Sequence, residues 1–136
     1  MKQKTSSRNC PCGLPLSYDD CCGRYIEHAE VPAPTAQALM RSRYSAYTLL
    51  RSDYLLATWH PECRPDQLDL TEDSARIKWL GLEIIHCDAG LEGDLRGVVE
   101  FLARYKVGGR AERLHEVSRF VCLDGRWYYR DGDIGD

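Results

Sequence analysis

Four cysteines, Cys10, Cys12, Cys21 and Cys22, fall within thirteen residues and form two close pairs. Thiolates grouped this densely suit a tetrahedral Zn²⁺ site, in which four sulfurs lie about 2.3 Å from the ion and leave no open position for a substrate. Gly13 follows the first pair and can take the backbone conformation that folds a short loop around sulfur. Binding energy of this kind can order a segment too small to hold itself together. The alternative is four free, buried thiols. A disulfide framework would spread its pairs along the chain to close loops, and the count of seven cysteines is odd. Cys87 and Cys122 sit in strand patterns and read as small core residues. Cys63 lies in a loop beside Pro61, where an unreactive thiol is the simpler expectation than a nucleophile.

A second set of polar residues lies further along the chain: Arg43, Tyr47, His60, Tyr105, Glu116 and Ser118. Glu116 and Ser118 alternate onto the same strand face as Phe120, so the carboxylate must pair, protonate or open into a wet cavity. In one reading Glu116 is a general base, His60 its acid–base partner and Arg43 an anion clamp. In the other, Arg43 and Glu116 form a structural ion pair and His60 is a satisfied residue before Pro61. The aromatics Tyr44, Tyr47, Trp59, Trp79, Trp127 and Tyr129 read as core before they read as a ligand platform. Glycine-rich phosphate loops, nucleophile elbows and His-Glu-x-x-His helices are absent from the sequence.

These residues need elements to hold them. Residues 1–31 carry the cysteine cluster and lack a sustained helical or strand period, and Val31-Pro32-Ala33-Pro34 reads as a stiff connector. We place a boundary there, giving a metal-binding unit over 1–31 and a second unit over 32–136 that is expected to fold without the first. Thr35 is a plausible N-cap for a helix through Leu39, Met40, Tyr44 and Tyr47. Ser52-Asp53 suggests a cap for a short helix running through Trp59 to Pro61, and residues 71–78 suggest a third helix. Strands follow over 79–87, 95–107 and 114–123, then from Arg126. Gly108-Gly109 and Asp124-Gly125 are turn signals. Helices followed by an antiparallel meander make an α+β fold.

The run Cys10-Pro11-Cys12-Gly13, eight residues from Gly13 to Asp20, then Cys21-Cys22-Gly23, resembles the SEC-C motif. This is the small zinc module at the C-terminus of the SecA translocation motor. The resemblance implies the four cysteines as zinc ligands, one for one. Between the pairs the motif is usually small and lysine-rich, whereas this chain has Leu14-Pro15-Leu16-Ser17-Tyr18-Asp19-Asp20. That departure argues against docking onto an acidic partner, as the SecA module does with the chaperone SecB. Leu39 through Tyr47, Asp53-Tyr54-Leu55, Thr58-Trp59-His60-Pro61, Trp79 through Glu83, His115 through Phe120 and Trp127-Tyr128-Tyr129 resemble the YchJ-like family of bacterial proteins. That resemblance implies an NTF2-like domain, a cone of curved sheet over helices, a fold that hosts both enzymes and pure binding modules.

The chain has 136 residues, 43% hydrophobic and 29% charged, the composition of one globular domain with a small appendage. No apolar run approaches the ~20 residues of a membrane span. The first nine residues are charged without an apolar stretch, so a secretory signal is not expected and the cytoplasm is the expected compartment. A formal charge of −3 disfavours nucleic-acid binding by bulk electrostatics. The leading expectation is a zinc-binding adaptor that meets a protein partner through its metal module. The second is an NTF2-like small-molecule site or a hydrolase or isomerase pocket. Nucleic-acid binding through the module is the weakest. Since NTF2-like domains often pair through the sheet face, a homodimer is a further expectation.

Overall fold

The computed structural model describes residues 9–70 and 76–135. Three helices precede four strands: α1 Gly23–Ile26, α2 Ala36–Thr48, α3 Ser52–Ala57, then β1 Ile77–Ala89, β2 Arg96–Val107, β3 Arg110–Leu123 and β4 Arg126–Gly135. The strands form one antiparallel sheet in the order β1-β2-β3-β4. Sequence order equals spatial order because each connection is a short turn. Gly108-Gly109 and Asp124-Gly125 both have positive φ at their two central positions, the twist that two-residue hairpins require.

Side-chain alternation decides which sheet face is covered. Val99, Phe101 and Ala103 on β2, and Glu116, Ser118 and Phe120 on β3, are buried, while the intervening residues are half-buried or exposed. The covered face meets α2, whose buried residues include Leu39, Met40, Arg43 and Tyr44. Thr35 caps this helix by accepting the Ala38 N–H at 3.0 Å, a bond typically worth about 1 kcal/mol. The Ala36 N–H donates to Gly90 O at 2.9 Å, docking the start of α2 on the β1–β2 turn.

Three irregularities bend the sheet: bulges at Trp79/Gly81 and Ile84/His86 on β1, and at Arg119/Phe120 opposite β4. At the last, β4 shifts register so that Phe120 faces Tyr129 while Arg119 faces Asp131. The chain after α3 pairs there: Tyr129 donates to Thr58 O and the His60 N–H donates to Tyr129 O, both at 2.8 Å.

That pairing corrects one expectation. Trp59 is not helical; α3 stops at Ala57 and Trp59 forms a parallel bridge with Tyr129. The start of α3 also differs, with Arg51 at the N-cap position and no side-chain cap. Of the helix expected over 71–78, residues 71–75 lie outside the described residues, and Ile77 and Lys78 open β1. Ile77 and Lys78 pair with Val107 and Lys106 across the sheet, so strand pairing outweighs a modest local helical preference.

The segment ahead of the proline connector packs against the helix and sheet beyond it. Tyr25 and Ile26 belong to the same hydrophobic core as Leu39, Tyr44 and Phe120. The Trp127 indole donates to Pro34 O at 3.2 Å, pinning the connector to β4.

Candidate functional site

The first candidate site is the cysteine cluster. The Gly13 N–H donates to Cys10 O at 3.0 Å and the Cys10 N–H to Leu16 O at 2.7 Å, closing a tight loop in which Gly13 has φ 98°. This loop brings Cys10 and Cys12 to one side. Across from it, the Gly23 N–H donates to Tyr18 O at 2.8 Å. A Cβ on Gly23 would lie 2.7 Å from that same oxygen, so the turn presenting Cys21 and Cys22 closes only around glycine.

The four sulfurs lie within 4.8 Å of one another, with Cys12 Sγ and Cys21 Sγ 3.6 Å apart. A tetrahedron with sulfurs about 2.3 Å from its centre has edges of about 3.8 Å, so the donor set fits a thiolate-bound ion. Exposure is 3, 0, 2 and 2% for Cys10, Cys12, Cys21 and Cys22, and all seven cysteines are free thiols. The four thiols do not ionise alike. Thiol donation from Cys12 and Cys22 holds Cys10 far below the usual thiol range. Burial and the neighbouring sulfurs push Cys21 up to about 12. Hydrogen bonding to Cys10 and Cys12, then burial, pushes Cys22 higher still. One thiolate is thus tolerated while Cys21 and Cys22 resist ionising, so that a bound cation would be what lets them ligate as thiolates.

Helix α2 carries this cluster on one side. Arg41 donates to Cys12 O at 3.0 Å, and Ser45, one turn on, touches Cys10 Sγ at 3.5 Å. Its other side, through Met40, Arg43, Tyr44 and Tyr47, walls the second candidate site. This is an open-sided cavity of about 250 Å³ between helix and sheet, lined also by Trp59, Trp79, Phe101, Ala103, Leu114, Glu116, Ser118 and Tyr129.

The cavity brings together four of the six residues singled out by sequence: Arg43, Tyr47, Glu116 and Ser118. His60 and Tyr105 are not among its lining residues. His60 Nδ1 accepts the Glu62 N–H at 3.0 Å, so the ring caps its own turn and is no acid–base partner of Glu116. Tyr105 packs on Trp79, with ring centroids 5.4 Å apart. Five of the six aromatics expected in the core border the cavity, and Trp127 alone does not.

Arg43 and Glu116 are 3 and 9% exposed. They make no direct ion pair among the described residues, which corrects the expectation of a structural Arg43–Glu116 pair. Arg43 Nη1 donates to Leu55 O at 2.8 Å and to Thr58 Oγ1 at 2.7 Å. Its guanidinium lies 5.1 Å from the centre of the Trp59 ring and 4.8 Å from that of Tyr129, a cation–π clamp. Burial lowers its pKa. Glu116 Oε2 accepts from Ser118 Oγ at 2.7 Å and Tyr129 OH at 2.8 Å. Burial, then the charge of Glu116, drives the Tyr129 phenol well above its ordinary range, so it stays a proton donor.

Sequence reasoning missed Tyr129 as the partner of Glu116, because the bulge at Arg119/Phe120 sets which β4 side chain arrives. It also missed what Gly132 does. A Cβ there would overlap Glu116 Oε2 and sit 2.8 Å from its Cδ, so the carboxylate lies over a strand position kept bare.

Residues 35–132 match the family model described as YchJ, middle NTF2-like domain. The chain belongs to the YchJ-like family. A UPF0225 protein of Chromobacterium violaceum is 61% identical over 133 residues, covering 97% of this chain and 98% of its own. One from Bordetella pertussis is 52% identical over 134 residues, with 98% of both chains covered. Among solved structures, a SEC-C-motif-containing protein from Rhodopseudomonas palustris superposes with a TM-score of 0.80 at 39% identity, covering 95% of this chain and 100% of that one. Another from Psychrobacter arcticus gives 0.77 at 30% identity, covering 97 and 85%. An NTF2-like domain and a SEC-C-type cysteine cluster are therefore features of this YchJ-like chain. No helix among the described residues is long and apolar enough to cross a membrane.

Proposed function

We propose that this YchJ-like protein is a cytoplasmic adaptor in which zinc serves architecture and the surface around the metal loop meets a protein partner. One observation carries the reading: all four thiols are at most 3% exposed. A four-thiolate set fills the coordination shell of its ion and leaves no position open for a substrate. Cys10, Cys12, Cys21 and Cys22 would hold the ion, which supplies the positive charge that lets the buried thiols ionise together. Arg41 and Ser45 fix the loop to α2, and the exposed Pro15, Leu16, Asp19 and Asp20 form its outer surface. Beside them an open groove of about 600 Å³ runs between the loop and the end of α2, bordered by Pro11, Tyr18, Glu27 and Arg51. Tyr18 donates to Glu27 at 2.7 Å, and Arg51 pairs with the same carboxylate, which links the loop to the residues after α1 and α2.

Affinity capture with zinc-loaded protein and a Cys12→Ser variant tests the reading. A partner retained by the intact protein and lost with the variant is expected. A partner held equally by both would place recognition elsewhere.

A second reading, an NTF2-like cone with a small-molecule site, is favoured by the buried Arg43 and Glu116 that border one cavity without pairing. Nucleic-acid binding is the least supported, since Lys2, Lys4, Arg8 and Arg24 are balanced by Asp19, Asp20, Glu27 and Glu30 over residues 1–31, which leaves no net positive charge to meet a phosphate backbone.

A further inference from the structure

Buried polar groups that lack a protein partner are satisfied by water or by a ligand. Two such groups face the cavity between α2 and the sheet. Arg43 spends Nη1 on Leu55 and Thr58, and the Tyr47 hydroxyl lies against the same guanidinium. Of the five N–H donors a guanidinium carries, some remain without an acceptor among the described residues. Glu116 accepts both of its hydrogen bonds at Oε2, and its Oε1 bonds to no described residue. Donors on Arg43 and one carboxylate oxygen of Glu116 are therefore left over, on opposite charges, in an open-sided cavity half lined by aromatic residues.

We propose that this cavity binds a small, neutral, planar ring compound carrying both a hydrogen-bond acceptor and a donor, of the aromatic amide class. The inference rests on the small-molecule reading of the domain and names its ligand chemistry. Three observations set the class. The charges of Arg43 and Glu116 cancel, so an anion that gains from Arg43 is repelled by Glu116, and a cation meets the reverse. A neutral ligand loses least on leaving water. The space of about 250 Å³ equals roughly eight waters at about 30 Å³ each, which suits a single-ring compound. The aromatic lining, which includes Tyr47, Trp79 and Phe101, favours a ring over an aliphatic chain. Arg43 donates to the ligand's acceptor, Glu116 accepts from its donor, and Ser118 and Tyr129 keep the carboxylate in place.

The test uses zinc-loaded, full-length protein and three compounds of matched size and shape: benzamide, benzoate and benzamidinium, titrated by protein-observed NMR. Benzamide is expected to shift resonances of cavity residues and to bind at least tenfold more tightly than either charged analogue. Glu116→Gln leaves Arg43 unbalanced, so the preference should reverse toward benzoate, an outcome that a purely structural carboxylate would not produce. Ala103→Leu fills the cavity from the sheet side and should abolish binding of all three while the protein remains folded. Tighter binding of a charged analogue would overturn the ligand class but leave the small-molecule reading standing. No binding by any of the three, or benzamide binding that survives Ala103→Leu, would overturn both.

Discussion

Adding one methyl group at Gly132 should be among the costlier conservative changes in this protein. A Cβ built there overlaps Glu116 Oε2 and lies 2.8 Å from Cδ and 3.0 Å from Cγ, so the carboxylate must leave its place. It would then forfeit the bonds from Ser118 and Tyr129, at 2.7 and 2.8 Å. Hydrogen bonds to a charged group are worth about 1.5–3 kcal/mol each. Allowing for partial rescue by water, Gly132→Ala should destabilise the fold by about 3 kcal/mol, whereas glycine-to-alanine in an unconstrained strand is neutral or favourable. Urea denaturation of the zinc-loaded protein measures the effect, and a double-mutant cycle isolates its cause. In a Glu116→Ala background the obstructing side chain is gone, so Gly132→Ala should cost less than about 0.5 kcal/mol. Two equal costs in the two backgrounds, or a neutral Gly132→Ala alone, would show that the carboxylate does not lie over β4.

Two further outcomes are expected. The Tyr44 phenol, raised by burial to about 12 from an ordinary 10, keeps its proton in the fold where the unfolded chain gives it up. Its contribution is complete below about pH 10 and is lost as the pH climbs toward 12, about 1.4 kcal/mol of it by pH 11. Denaturant titrations at pH 8 and 11 should therefore show a loss that Tyr44→Phe reduces by that amount, and an unchanged loss would exclude Tyr44 as a source. Deleting residues 1–31 should lower the melting temperature sharply or abolish cooperative melting in calorimetry, because Tyr25 and Ile26, each 7% exposed, belong to the shared core. Cooperative melting within a few degrees of the intact chain would instead support an independent second unit.

The shared core marks where the sequence stops being informative. The pairing of short cysteine runs, the Thr35 cap, the two hairpin turns and the inward set Glu116, Ser118 and Phe120 are local patterns, readable from residue type and period. The packing of α1 is not: it is only four residues long, and nothing in Gly23–Ile26 reveals what lies across from it. Trp59 escapes for the same reason, its place being set by a bridge to Tyr129 in the last strand. Arg43 shares a cavity with Glu116, as their polar character in patterned positions suggests, but its partner groups come from α3 and the turn after it. The partners of Glu116 depend on a bulge that shifts β4 by one residue. Chemical type was legible at both sites, whereas pairing depended on register and long-range contacts.

Metal content measured alongside thermal stability tests the central claim most directly. The purified protein should carry one zinc per chain, and cobalt exchanged into it should show the intense visible absorption of a tetrahedral thiolate site. Chelation should disorder the loop around Cys10 to Cys22 and lower the melting temperature. Protein that contains no stoichiometric metal and keeps the same NMR spectrum and melting temperature in chelator would contradict the account.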